Sequence, residues 1–288
     1  MNLTTRDTVL AVLAAFIWGA TFPVSAIALE DTPPVFFTFL RFLLAASFVI
    51  LVPRPKIGWK KLTMLGLFLG AGQYGFMFVA MAQGMPAGVA AVLVHTQAIF
   101  TVLIAVMFLN ERPTVRTYLT IALAATGLAC LMLDRAQGGA VIGFVLMILA
   151  ALCGASGNVV LKSVGIVDMI SVAVWMSLVP LLPLAILSYY LEADHSVADL
   201  FRTVLWKTVA AVAYSAVLAT VVVYAIWGRL LVSYSISQVA PFFLLVPMFG
   251  LGLSAWLLDE EFSVLQLTGS ALIFGGLLLS LPATNRQV

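Results

Sequence analysis

Residues 62–110 read LTMLGLFLGAGQYGFMFVAMAQGMPAGVAAVLVHTQAIFTVLIAVMFLN, without one Asp, Glu, Lys or Arg. A helix rises about 1.5 Å per residue, so about 20 apolar residues cross the roughly 30 Å hydrocarbon core of a bilayer. This stretch is too long for one crossing, and Gly84-Met85-Pro86 near its middle supplies turn chemistry. It therefore reads as a hairpin of two spanning helices. In lipid every backbone polar group needs an internal partner, which leaves helices or closed barrels. The run shows no two-residue alternation, and that selects helices.

The same reading extends outward along the chain. Further charge-poor stretches lie at 8–29, 32–53 (Arg41 alone), 117–133, 136–161, 169–191, 208–228, 230–258 and 262–285. Composition agrees: 63% of the 288 residues are hydrophobic and 9% charged, against about 25% charged in a soluble domain. The stretch after Arg6 has the outline of a signal peptide, but it is long enough to span and similar stretches follow, so it reads as the first helix. The expectation is an all-α integral membrane protein of ten transmembrane helices. Only 191–206 leaves room for a short surface helix between spans.

Lys and Arg fix the orientation. With the N-terminus inside, Arg6, Arg54, Lys56, Lys60, Lys61, Arg112, Arg116, Lys162, Arg229 and Arg286 are inner, and Arg135, Arg202 and Lys207 are outer. The outer loops gather the acids, including Glu30, Asp31, Glu192 and Glu260. Both termini are therefore expected in the cytoplasm.

An internal repeat appears at a shift of 149 residues. It lays Leu109-Asn110-Glu111-Arg112 over Leu258-Asp259-Glu260-Glu261, Thr126-Gly127-Leu128 over Gly275-Gly276-Leu277, and the turn at Met85-Pro86 over Tyr234-Ser235. Near the starts of the halves, Trp18-Gly19-Ala20 resembles Cys153-Gly154-Ala155. Five spans per half is an odd number, so the halves, 1–135 and 136–288, are inserted inversely. Inverted repeats are typical of secondary transporters, with the solute site at the repeat interface near mid-membrane.

The chain resembles the drug/metabolite transporter superfamily in its two-repeat EamA-type members. Phe16-Ile17-Trp18-Gly19, Arg41-Phe42-Leu43-Leu44-Ala45-Ala46, Leu109-Asn110-Glu111-Arg112-Pro113 with its counterpart at Leu258-Asp259-Glu260-Glu261, and the Gly-rich fifth and tenth helices carry the resemblance. It implies alternating access, gated by the paired hairpins of helices 3–4 and 8–9. Among subfamilies the chain looks most like bacterial inner-membrane exporters of amino acids, the aromatic ones included.

A transported zwitterion needs a wet cavity with hydrogen-bonding and aromatic walls, and mid-span polar residues tend to face such interiors. The candidates are Gln73, Tyr74, His95, Gln97, Asn158, Trp175, Tyr214, Gln238 and Trp18. His95 and Gln97 lie about 200° apart on an ideal helix, so both should not face one cavity. Gln97 reads equally as glue between helices. Trp227 falls near a span end and reads as an interfacial anchor. Pro86, Pro241 and Pro247 mark turns or kinks that could hinge a gate. Glu111 and Glu260 read as helix caps or loop partners. Arg41 could snorkel, pair with an acid, face the cavity or anchor a substrate carboxylate.

Other functions fit less well. A cation/proton exporter needs an acid in mid-span, and none is present; a sugar-nucleotide or sugar-phosphate exchanger needs cavity cations, and only Arg41 and Lys162 come near. No nucleophile–base pair, cofactor motif or metal cluster points to an enzyme, and a net charge of +2 without basic runs gives no nucleic-acid partner. His95 is the one titratable group in mid-membrane, so facilitated or exchange transport is expected, by a monomer whose partners are a small solute and the bilayer.

Overall fold

The computed structural model describes residues 3–108, 115–138, 141–165, 167–192, 197–234 and 236–280. Leu109-Asn110-Glu111-Arg112-Pro113, Ser235 and Arg286 lie outside the described residues. Among the described residues every regular element is helical: α1 (Thr5–Leu29), α2 (Pro34–Ser47), α3 (Trp59–Ala82), α4 (Ala87–His95), α5 (Gln97–Phe108), α6 (Val115–Gly138), α7 (Val141–Lys162), α8 (Met169–Met176), α9 (Leu181–Leu191), α10 (Val197–Arg202), α11 (Trp206–Ser233), α12 (Ile236–Phe243), α13 (Leu245–Leu258) and α14 (Val264–Ser280). Six of the described units, four of them α1, α3, α7 and α11, are long and apolar enough to cross a membrane, and shorter apolar helices accompany them. Their outer surfaces are apolar too: Leu182, Trp206 and Val232 are 71–84% exposed, which suits lipid and would be costly in water.

The expected hairpin is present. Gly84 adopts φ +85°, a left-handed turn conformation open to glycine, and Pro86 caps the start of α4. The short helix expected within 191–206 is α10. The first half, set to end at 135, ends inside a helix, since α6 runs on to Gly138.

Two helices carry π stretches, Gly66–Gly72 in α3 and Tyr214–Val222 in α11. A shift of 149 brings the first inside the second. It also brings the break at Thr96, between α4 and α5, next to the break at Leu244, between α12 and α13. The causes differ. At Thr96 the side-chain hydroxyl donates to the Leu93 carbonyl at 2.6 Å, competing with the helix ladder. At Leu244 the cause is Pro247, which lacks the N–H that would bond the Phe243 carbonyl; the Leu244 N–H bonds Pro241 O at 3.2 Å instead. Pro241 sits inside α12, exposed, and Pro247 is buried in the first turn of α13.

Helices α6 and α14 cross where Gly127 and Gly269 meet: a Cβ on either would strike the other's carbonyl oxygen, at 2.6 and 2.8 Å. Only glycine lets backbones approach so closely. At one end of the bundle Asp7 takes hydrogen bonds from the Tyr234 hydroxyl (2.6 Å) and Arg229 (3.2 Å), and Lys61 donates to the Ser163 carbonyl. At the opposite end Lys207 pairs with Glu30, Thr32 with Thr208, and two glutamates cap helices. Glu192 accepts the Val35 and Phe36 amides of α2 at 2.7 and 2.8 Å, although burial pushes its carboxyl above the usual range. Glu260 accepts the Ala87 and Gly88 amides of α4 at 2.6 and 3.0 Å. The cap expected of Glu260 is thus observed, on a helix of the other half.

Candidate functional site

A cavity of about 200 Å³ lies in the bundle between α1, α3, α4–α5, α7, α8 and α11–α13. One wall is aromatic. Trp18 on α1 reaches Phe243 at the end of α12 (ring centroids 5.1 Å), Tyr224 on α11 (5.7 Å) and Trp227 on α11 (5.8 Å, planes 19° apart). Trp227 in turn stacks on Phe243 at 4.5 Å. The Trp18 indole is fixed by donating to the Ala219 carbonyl at 2.7 Å, inside the π stretch of α11. The π bulge shifts the register of that carbonyl, as such insertions do at functional sites.

The facing wall is polar. It carries Gln73 and Tyr74 of α3, His95 and Gln97 on either side of the Thr96 break, and Asn158 of α7. The Gln73 side-chain amide donates to the Gln97 carbonyl oxygen at 3.0 Å, joining α3 to α5. Gln97 therefore does both things weighed for it, tying helices while lining the cavity. His95 Nδ1 lies 2.6 Å from the Ala91 carbonyl. A carbonyl only accepts, so Nδ1 holds the proton and Nε2 remains for a ligand. The objection that His95 and Gln97 could not share a cavity fails because the helix is not ideal between them; Thr96 ends α4, and Gln73 draws the Gln97 amide round.

The amide pair presses on Gly154 of α7, where a Cβ would meet Gln97 Oε1 and Gln73 Nε2. Gly154→Ala is expected to part Gln73 from Gln97 and to cost about 1 kcal/mol by overpacking. A thermal melt of the detergent-solubilised protein checks this; an unchanged midpoint would show that the wall yields freely.

Three candidates fall elsewhere. Trp175 donates its indole N–H to Val52 O at 2.9 Å and packs on Trp59, so it fastens α8 to the segment after α2 and to the start of α3. Tyr214 donates to Ile17 O at 2.8 Å and packs against the apolar cluster that α1 and α11 share, fastening α11 to α1. Gln238 on α12 does not line the cavity. In the other direction, Trp227 is no interfacial anchor: it is 2% exposed, at the centre of the aromatic wall. Tyr224 and Phe243 complete that wall, and Phe243 carries no polar group that would mark it in the sequence. Position within an apolar run does not report which face of a helix an aromatic ring occupies; the one available signal was the three-residue step from Tyr224 to Trp227, too short to separate from chance.

Among the described residues no Asp, Glu, Lys or Arg lines the cavity. Its floor of Leu161, Met169 and Leu231 leads toward the end where Asp168 and Arg229 border a second recess. Among the described residues no cluster of His, Cys, Asp or Glu could hold a metal ion.

The model of the EamA-like transporter family matches residues 7–133 and again 141–281. The chain is 36% identical over 282 residues to the "Probable amino-acid metabolite efflux pump" of Escherichia coli (strain K12), covering 96% of this chain and 94% of the other. It is 37% identical to the protein of the same name in Salmonella typhimurium, with the same coverage, and 25% identical to the "Uncharacterized transporter YoaV" of Bacillus subtilis (strain 168). A solved crystal structure superposes over 96% of both chains at a TM-score of 0.59 and 18% identity, a likeness of fold.

Proposed function

Because the chain belongs to the EamA-like transporter family, we propose that it exports amino acids or related small metabolites across a bacterial inner membrane, by alternating access through the central cavity. In this reading ten helices form two inverted five-helix halves, and both termini are cytoplasmic. The recurrence of π stretches and helix breaks at a spacing of 149 residues supports the repeat. The end bearing Lys61 and Arg229 is then cytoplasmic, and the cavity, leading to that end, is inward-facing.

The observation that carries the reading is the pairing of an aromatic wall with an uncharged polar wall in a cavity of about 200 Å³. That volume is below the ~300–1,000 Å³ usual for drug-sized ligands, so it suits an amino-acid-sized solute and excludes a sugar nucleotide from this conformation. A lining without carboxylates gives a lipophilic cation nothing to exchange against a proton. Aromatic rings stack flat or apolar side chains, while the amides, Asn158 and His95 Nε2 serve a polar head. The names of the Escherichia coli and Salmonella relatives point the same way. With no acid among the described lining residues, transport runs by facilitated diffusion or exchange.

Counterflow in proteoliposomes tests this. Vesicles loaded with unlabelled phenylalanine, tryptophan, threonine, methionine, a sugar nucleotide or a lipophilic cation are followed for uptake of the labelled compound. An amino acid is expected to exchange at zero pH gradient, with KM raised at least about tenfold in Tyr74→Ala, the size of one lost contact of about 1.4 kcal/mol. Exchange of the sugar nucleotide or the cation alone refutes the substrate class. Uphill transport driven by an imposed pH gradient and lost in His95→Ala refutes the uncoupled mechanism.

A further inference from the structure

Arg41 on α2 is the one Lys or Arg buried among the described residues, at 2% exposed. Its guanidinium carbon lies 3.8 Å from the centre of the Tyr74 ring and 5.7 Å from that of Phe42. Its Nε and Nη1 have no hydrogen-bond partner, and it forms no ion pair with a described carboxylate. Such a group is unusual, because burying an unpaired charge is strongly unfavourable unless a partner arrives. Stacking on an aromatic face offsets part of that cost, but it leaves the in-plane N–H donors unused.

The missing partner can be located. Tyr74, the ring covering Arg41, is itself a cavity wall residue. Tyr224, on the far side of the cavity, is within electrostatic reach of both Tyr74 and Arg41. The guanidinium therefore stands one ring behind the solute chamber, close to the polar wall and away from lipid. We propose that Arg41 is a specificity-determining residue that binds the carboxylate of the transported solute, which reaches it by displacing the Tyr74 ring from the guanidinium face. This rests on the reading of the cavity as an amino-acid site and deepens it.

The chemistry favours a carboxylate over other anions. The fork of a guanidinium matches two carboxylate oxygens in a bidentate pair. A single cation balances a monoanion but leaves a phosphate dianion half compensated in a dry site. With the carboxylate on Arg41, the solute's ammonium faces Gln73, Gln97 and His95 Nε2, and its side chain faces Trp18, Trp227 and Phe243. Tyr74, braced at 5.7 Å by Phe42 and at 5.9 Å by Phe78, shields the charge while the chamber is empty.

The test uses the full chain in detergent micelles and its own tryptophan fluorescence, since Trp18 and Trp227 border the chamber. Three probes of similar size are titrated: 3-phenylpropionate, its neutral amide, and phenethylamine. The wild type is expected to bind 3-phenylpropionate at least about tenfold more tightly than the amide, as one charge-assisted pair provides. Arg41→Gln should remove that difference while leaving phenethylamine within about threefold, and Arg41→Lys, a cation without the fork, should fall between. Equal binding of acid and amide by the wild type overturns the proposal, as does a parallel loss of all three probes in a folded Arg41→Gln, the sign of a merely structural role. If Arg41→Gln does not fold, the acid–amide difference in the wild type and its reduction in Arg41→Lys decide the matter. Arg41-dependent binding of 3-phenylpropionate without amino-acid counterflow keeps this assignment and removes the amino-acid reading. Counterflow undiminished in Arg41→Gln does the reverse.

Discussion

Trp227→Ala is expected to destabilise the protein by about 3 kcal/mol, the lower end of the range for deleting a buried tryptophan, and to abolish counterflow. The indole is 2% exposed and stacks on both Trp18 and Phe243, which also touch each other. Truncation takes one ring from a three-ring cluster that joins α1, α11 and α12, leaving a void that the two remaining rigid rings cannot fill. The lower end of the range applies because lipid is as apolar as the interior, which mutes the transfer term and leaves the packing loss. Trp227 Nε1 has no partner within the protein, so losing it strands no other group. Trp227→Phe should therefore recover most of the stability and part of the transport. Thermal melting with and without solute separates the two effects; an alanine variant that melts and exchanges like the wild type would show that the ring is neither packed nor used.

That outcome bears on what was legible before the structure. Span positions follow from charge-free length, a bulk property that survives any rotation of a helix about its axis. Facing is different. In a bundle surrounded by lipid both sides of a helix are apolar, so the hydrophobic period that identifies the buried side of a soluble helix carries little information. Gln73, His95, Gln97 and Asn158 were still found, because an uncompensated polar group in lipid is expensive and its direction is thereby decided. Trp175, Tyr214 and Trp227 were misplaced, because an aromatic ring with a polar tip is content in a belt, in a helix contact or in a cavity. Their hydrogen bonds, to Val52 O and Ile17 O for the first two, depend on neighbours far along the chain.

The repeat was legible for a similar reason. Its matches at Glu260 and the glycines are residues whose substitution alters backbone geometry or leaves amides unpaired, whereas apolar identities between membrane helices are cheap. The structure adds the π stretches and the helix breaks at the same spacing, although Pro247 causes one break and Thr96 the other. The backbone interruption is thus shared by the halves, while the residue that produces it is not. A sequence comparison sees the second and misses the first.

Glu260→Ala is expected to cost about 1.5–3 kcal/mol, the worth of hydrogen bonds to a charged acceptor, and to favour an outward-open state. Helix α4 starts after Pro86, which has no N–H, so Ala87 and Gly88 present its first free amides, and both are taken by the Glu260 carboxylate. The anion also meets the positive end of the helix dipole. Phe262 packs beside it, against Gly88, where a Cβ would strike the ring at 2.6 Å. The contact belongs to the end of the bundle away from the cavity floor at Leu161 and Met169. In alternating access that end must part, so a bond holding α4 to the loop before α14 stabilises the closed arrangement. Glu260→Gln, keeping one acceptor oxygen and no charge, should show about half the loss. The measurement is external labelling by a membrane-impermeant maleimide of a cysteine placed at Met77, in a background free of Cys130 and Cys153. Faster labelling in Glu260→Ala, with a lower melting midpoint, is the expected pair of results. A lower midpoint with unchanged labelling would make Glu260 a cap alone, because a residue that only holds the fold weakens both conformations alike, and one that closes the outer side weakens a single one.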